Sequence, residues 1–171
     1  MRLAFVISSM IIIGMFVSCD GNIIDDEPKT PELKVSDVLK DIQNENTPFP
    51  ASEIAKLDSA KETELLNSLA EYKFNPDDVL KIAIIRKNQG NFEPALRWLS
   101  MKLQNNEKFI EIRYRKAQVL FLMGKLKEAY ILCKLETLPD EVTTEFRGLF
   151  KDLSQQIESE LRLINKGSEK N

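Results

Sequence analysis

Two stretches decide the fold: DDVLKIAIIRKNQGNFEPALRWLSMKLQNN at 77–106 and EIRYRKAQVLFLMGKLKEAYILCKLETLPD at 111–140. Laid over each other at an offset of 34 residues, they match in kind at four places: Ala83 with Ala117, Gly90 with Gly124, Phe92 with Leu126, and Ala95 with Ala129. Each pair has a job in a helix–turn–helix hairpin. A small side chain at Ala83 or Ala117, midway along a first helix, lets a second helix approach closely. Gly90 and Gly124 end the first helix, where a residue without Cβ takes a left-handed conformation. Phe92 and Leu126 then turn inward, and Ala95 and Ala129 permit tight crossing. Leu99 and Cys133 take the next inward position, which makes Cys133 a small core residue and not a nucleophile. The reading is an all-α chain whose antiparallel helix pairs, over residues 75–138, stack as a short solenoid.

This glycine–aromatic–alanine pattern, at this period, resembles the tetratricopeptide repeat. The resemblance implies that the first helices line the inner face of a curved stack, where a peptide or partner helix lies. Projected onto this chain, it puts Leu80, Ile84 and Lys87 of the first unit on that face, with Tyr114, Gln118 and Phe121 of the second. Tyr114 and Phe121 share one side of one helix and suit binding anchors. Burial against the N-terminal helices, which would fill the groove, is the equal alternative. Where the family carries a large aromatic early in each first helix, this chain has Val79 and Arg113. Leu80 and Ile84 stand where one subset of the family uses polar side chains to grip C-terminal carboxylates, so that specificity is not expected. Arg113, Arg115 and Lys116 add positive charge, either a seat for an acidic partner or a solvated face.

The flanks read as helices too. Over 35–74, Ser36 is expected to cap a short helix with Leu39 and Ile42 inward, and NENTPFP at 44–50 breaks it. Ser59 and Glu62 fit a capping box, opening a helix that buries Leu65, Leu66 and Leu69 and ends near Lys73. Asn75 caps the next, with Pro76 at the first helical position and Asp77 and Asp78 complementing the dipole. Over 139–166, Val142, Phe146, Leu149, Phe150, Leu153, Ile157, Leu161 and Ile164 recur in steps of three and four. That spacing predicts a long amphipathic helix, begun by Asp140 and Glu141, that covers the open end of the stack. Its distal part, around Leu161 and Ile164, offers a second seat for a partner helix. Residues 167–171 are a tail.

The N-terminus reads MRLAFVISSMIIIGMFVSCD, with Arg2 as the only charge before Asp20. One positive charge and a short apolar run describe a secretory signal over 1–18, shorter than a membrane-spanning helix. Phe16-Val17-Ser18-Cys19 resembles a bacterial lipobox. The resemblance implies cleavage before Cys19, a diacylglycerol on its thiol and a fatty acyl chain such as palmitate on its amine. Lipid on Cys19 leaves Cys133 as a lone thiol. Residues 19–34, with Asp25, Asp26, Pro28 and Pro31, read as a flexible tether. Repeats behind a lipid anchor are similar to the tetratricopeptide lipoproteins of bacterial envelopes, those of the outer-membrane β-barrel assembly machinery among them. That likeness implies the periplasmic face of the outer membrane; the inner membrane and the cell surface stay open.

The chain has 171 residues, 43% of them hydrophobic, with 24 Lys+Arg against 27 Asp+Glu and a formal charge of −3. A mildly acidic chain is a poor nucleic-acid binder. The absence of histidine removes Ser-His-Asp and Cys-His pairs and any His-ligated zinc or haem. Gly90 and Gly124 are isolated and form no phosphate loop. The expectation is a non-enzymatic adaptor of the cell envelope, with no cofactor, metal or nucleic acid. Its partner would be another envelope protein, a barrel-assembly component being the specific candidate. The alternatives are a surface-exposed lipoprotein binding an extracellular ligand, or a regulator of an envelope hydrolase.

Overall fold

The computed structural model describes residues 33–44 and 46–168. These hold eight α-helices: α1 (Val35–Gln43), α2 (Ala51–Ile54), α3 (Ser59–Ser68), α4 (Pro76–Asn88), α5 (Phe92–Trp98), α6 (Phe109–Leu122), α7 (Leu126–Cys133) and α8 (Thr144–Ser168), with a 3₁₀ turn at Leu135–Thr137. No strand forms among the described residues. One isolated parallel bridge, Phe74 to Leu103, ties the α3–α4 connection to the α5–α6 connection. The signal segment, Cys19 and tether residues 19–32 lie outside the described residues, as do Glu45 and 169–171.

The two glycine turns are built alike. The Gly90 amide donates to the Lys87 carbonyl at 3.0 Å and the Asn91 amide to Arg86 at 2.9 Å; Gly124 donates to Phe121 and Lys125 to Leu120, both at 2.9 Å. This paired bonding needs a left-handed residue after the helix, and the two glycines have φ of 76° and 72°. Ala83, Ala95, Ala117 and Ala129 are all buried, as are Leu99 and Cys133, while Phe92 and Leu126 are half-buried against the cores. Beyond α7 a third long helix follows. The helices α4, α6 and α8 begin 33 and then 35 residues apart.

Two apolar cores run through the described residues. The first gathers residues of α1 to α5 around Trp98, Phe74 and Leu65. The second joins α6, α7 and α8 around Phe150, Leu153 and Ile157. The helix α6 serves both, with Ile112 and Val119 in the first and Ala117 and Leu120 in the second.

Several local expectations are corrected. The cap position of α1 falls on Lys34, and Val38 with Ile42 supplies its buried face, with Leu39 only half-buried. Ser36 is already inside the helix. Leu33, assigned to the tether, packs on the first core. Asp58, not Ser59, caps α3, accepting from the Lys61 amide at 2.9 Å, and Glu62 points into the core instead of back to the cap. A carboxylate one residue earlier wins the cap because its oxygen sits where the third amide points. The helix α3 stops at Ser68, well before Lys73. Asn75 does cap α4, accepting from the Asp77 amide at 2.9 Å. The last helix starts at Thr144, not at Asp140 and Glu141. Residues 139–142 form a turn in which the Val142 amide donates to the Pro139 carbonyl, so Val142 is buried outside the helix. It also runs on through 167–168, assigned to the tail.

Candidate partner-binding cleft

A cleft of about 390 Å³ opens where α4, α6 and α8 face one another. From α4 it takes Lys87; from α6, Tyr114, Gln118, Phe121 and Leu122; from α8, Leu149, Asp152, Leu153 and Gln156. Four of the six residues projected onto an inner face therefore meet in one recess. Leu80 and Ile84 do not. Leu80 is 4% exposed within the first core, and Ile84 is half-buried away from the cleft. The reason lies in what covers α4: α2 and α5 pack on it, so only its last turn reaches the recess.

It is α8, and not the N-terminal helices, that narrows the groove. Tyr114 stands edge-on to Phe150, with ring centres 5.4 Å apart, and to Phe146 at 6.5 Å. Its hydroxyl accepts from Gln118 Nε2 at 3.1 Å, and Gln118 Oε1 accepts from Arg115 Nη1 at 3.2 Å. These contacts hold Tyr114 as a wall. Phe121 remains a half-buried aromatic at the opening, beside Leu122, which is 51% exposed. Lys87 on α4 and Asp152 on α8 bring opposite charges to the recess, and neither is in an ion pair among the described residues. The recess thus combines an apolar floor, two amides and one charge of each sign, a surface that suits a peptide or helix.

Two of the three cations in the basic run of α6 are engaged within the fold. Arg113 Nε donates to the Leu132 carbonyl at 2.8 Å and Nη1 to the Thr137 carbonyl at 2.9 Å, and the guanidinium lies 5.7 Å from the Phe150 ring centre. It binds carbonyls left open where α7 ends, the place where a cation also meets the negative end of the helix dipole. Burial pulls its pKa down. Burial likewise lowers that of Lys116. Arg115 lies 3.5 Å from Glu111 and stacks near Tyr114. Arg113 and Arg115 are therefore held by the fold and are not free to seat an acidic partner, while Lys116 is half-buried.

Sequence reading missed a buried polar cluster. Arg86, 3% exposed, and Glu62, 1% exposed, pair in the first core, and Trp98 Nε1 donates to Glu62 Oε1 at 2.7 Å. Arg86 follows Ile82 and Ala83 at helical spacing, and that placement of a charge on the inward face is the signal that could have found it. Among the described residues no three His, Cys, Asp or Glu gather where they could hold a metal, and no helix is long and apolar enough to cross a membrane. No protein-family model, curated protein or solved structure matches the chain.

Proposed function

We propose that the chain is a lipid-anchored, non-catalytic adaptor of the bacterial cell envelope that holds a segment of another envelope protein in the α4–α6–α8 cleft. The observation that carries this reading is the meeting of Lys87, Tyr114, Gln118 and Phe121 in one recess. In this reading α4 to α8 are a tetratricopeptide-type stack, with α4, α6 and α8 as its first helices. The two identical glycine turns and the 33- and 35-residue steps between those helices support it. The lipobox at Cys19 supports the anchor, and two or three acyl chains would hold the protein firmly on a membrane. The specific version is service to outer-membrane barrel assembly at the periplasmic face.

The test is in-cell photocrosslinking from position 121, with position 131 as control, since Ile131 is 60% exposed but lies outside the cleft. A discrete adduct from 121 alone, identified as an envelope protein, is the expected result. No adduct, or the same adducts from 131, overturns the cleft as the binding site. A barrel-assembly protein in the adduct would select the specific version; recovery of the tagged chain alone from gentle detergent extracts counts against it. Substitution Cys19→Ala should abolish palmitate labelling and membrane retention together.

A further inference from the structure

A second, more apolar recess lies between residues 106–111 and 139–146. Two adjoining hollows of about 360 and 280 Å³ share Asn106, Phe109, Ile110, Glu141 and Val142, and Phe146 closes one end. Phe109 is 50% exposed, although it opens a helix and is one of the largest side chains of the segment. The residue before it, Lys108, has φ of 57°, a left-handed conformation that L-residues rarely adopt, and its ammonium is tied to Asp77. The backbone is thus held so that Phe109 stands at the recess.

The charges around this recess are mostly acidic. Glu141 lines it, and Glu107, Asp140 and Glu145 adjoin its lining residues in the chain; all four are exposed, and none is in an ion pair among the described residues. Glu111 also lines the recess but lies 3.5 Å from Arg115. Of the cations, Lys108 lines the recess and is tied to Asp77, and nearby Arg147 is bound to the carbonyls of Val142 and Pro139 at 3.3 and 2.9 Å. An apolar floor under an acidic rim matches a partner of the inverse pattern. We propose that this recess docks a protein segment presenting a large apolar side chain between lysines or arginines. Anionic lipid is disfavoured, because the rim would repel it. The inference stands apart from the cleft reading and shares no lining residue with it.

The probes are two acetylated, amidated peptides, KKLFLKK and EELFLEE, titrated against the full-length chain in a non-ionic detergent by fluorescence anisotropy. The lysine peptide should bind and the glutamate peptide should not, with affinity falling as salt is raised. Phe109→Ser and Glu141→Lys should each weaken binding at least about tenfold. Glu141 is an exposed turn residue, so its variant tests the site even where Phe109→Ser disturbs the fold. Asp152→Lys, in the other cleft, should leave binding unchanged. No binding of the lysine peptide, equal binding of both peptides, or loss through Asp152→Lys alone overturns the proposal. Phosphatidylglycerol vesicle binding that depends on Phe109 would overturn it in favour of a lipid surface.

Discussion

Arg86 and Glu62 stand 24 residues apart in the chain and meet where solvent does not reach, Nε donating to Oε1 at 3.1 Å and Nη2 lying 2.9 Å from Oε2. The remaining guanidinium donors go to the carbonyls of Ile54, Ala55 and Leu57, at 2.9, 3.0 and 3.1 Å, and to Gln89 Oε1 at 3.2 Å. One side chain therefore ties the end of α2 and the turn after it to α3 and α4, and Trp98 adds α5.

Removing either partner strands the other charge in the core. Glu62→Ala is expected to destabilise the protein by ~3–5 kcal/mol in urea unfolding. The double variant Glu62→Leu with Arg86→Met should recover only part of that loss, because both charges leave together but the carbonyls of Ile54, Ala55 and Leu57 and the Trp98 Nε1 lose their partners. A single-variant loss within the range of surface pairs, below ~1 kcal/mol, would contradict this account.

The glycine turns give a cleaner measurement. A Cβ added at Gly90 or Gly124 meets nothing within 4 Å, so only the left-handed backbone opposes a side chain there. Gly90→Ala and Gly124→Ala should each cost ~1–2 kcal/mol, by like amounts, and Asn at either place should cost less. Urea midpoints of the four variants check this, and clearly unequal alanine losses would show that the two turns are not equivalent.

Arg113 is expected to matter for stability and not for partner binding. Arg113→Ala leaves the Leu132 and Thr137 carbonyls short of a donor, at a cost of ~1–3 kcal/mol. Arg113→Lys should restore little, since an ammonium cannot reach both carbonyls from one planar fork. Photocrosslinking from position 121 should be unchanged in a folded Arg113 variant.

Cys133 should be inert until the protein unfolds. Burial pushes its thiol from the ordinary 9.0 up to about 11, with Arg113 opposing in part. At about pH 8, iodoacetamide should label it only in urea. The sign for stability follows. The unfolded thiol ionises first, so its contribution is full below 9.0 and is lost between 9.0 and about 11. Unfolding curves of Cys133→Ala should lack this part of the alkaline loss.

The hairpins were legible because glycine turns, small crossing residues and the 34-residue offset are all local signals. Asn75 and Pro76 were legible for the same reason. What local pattern could not show was which of two adjacent polar residues takes a cap. It also could not show where a partner sits across the fold. Glu62 looked like a capping residue from the serine three places before it, yet Asp58 fills that role and a distant arginine draws Glu62 inward. Arg113 looked like surface charge because its acceptors, at the end of α7 and beyond, lie 19 and 24 residues downstream. In the cleft, Tyr114 and Phe121 were readable as sharing one side of a helix, Gln118 came only from the projected resemblance, and Leu122 was not foreseen. The last helix reads as a cover over the end of the stack, but helical spacing could not show that its Leu149, Asp152, Leu153 and Gln156 would wall this recess.

With Ile112 and Val119 set in one core and Ala117 and Leu120 in the other, α6 is a party wall between two rooms. Neither room can be emptied while the other stays furnished, so heat should melt the described domain in a single calorimetric peak.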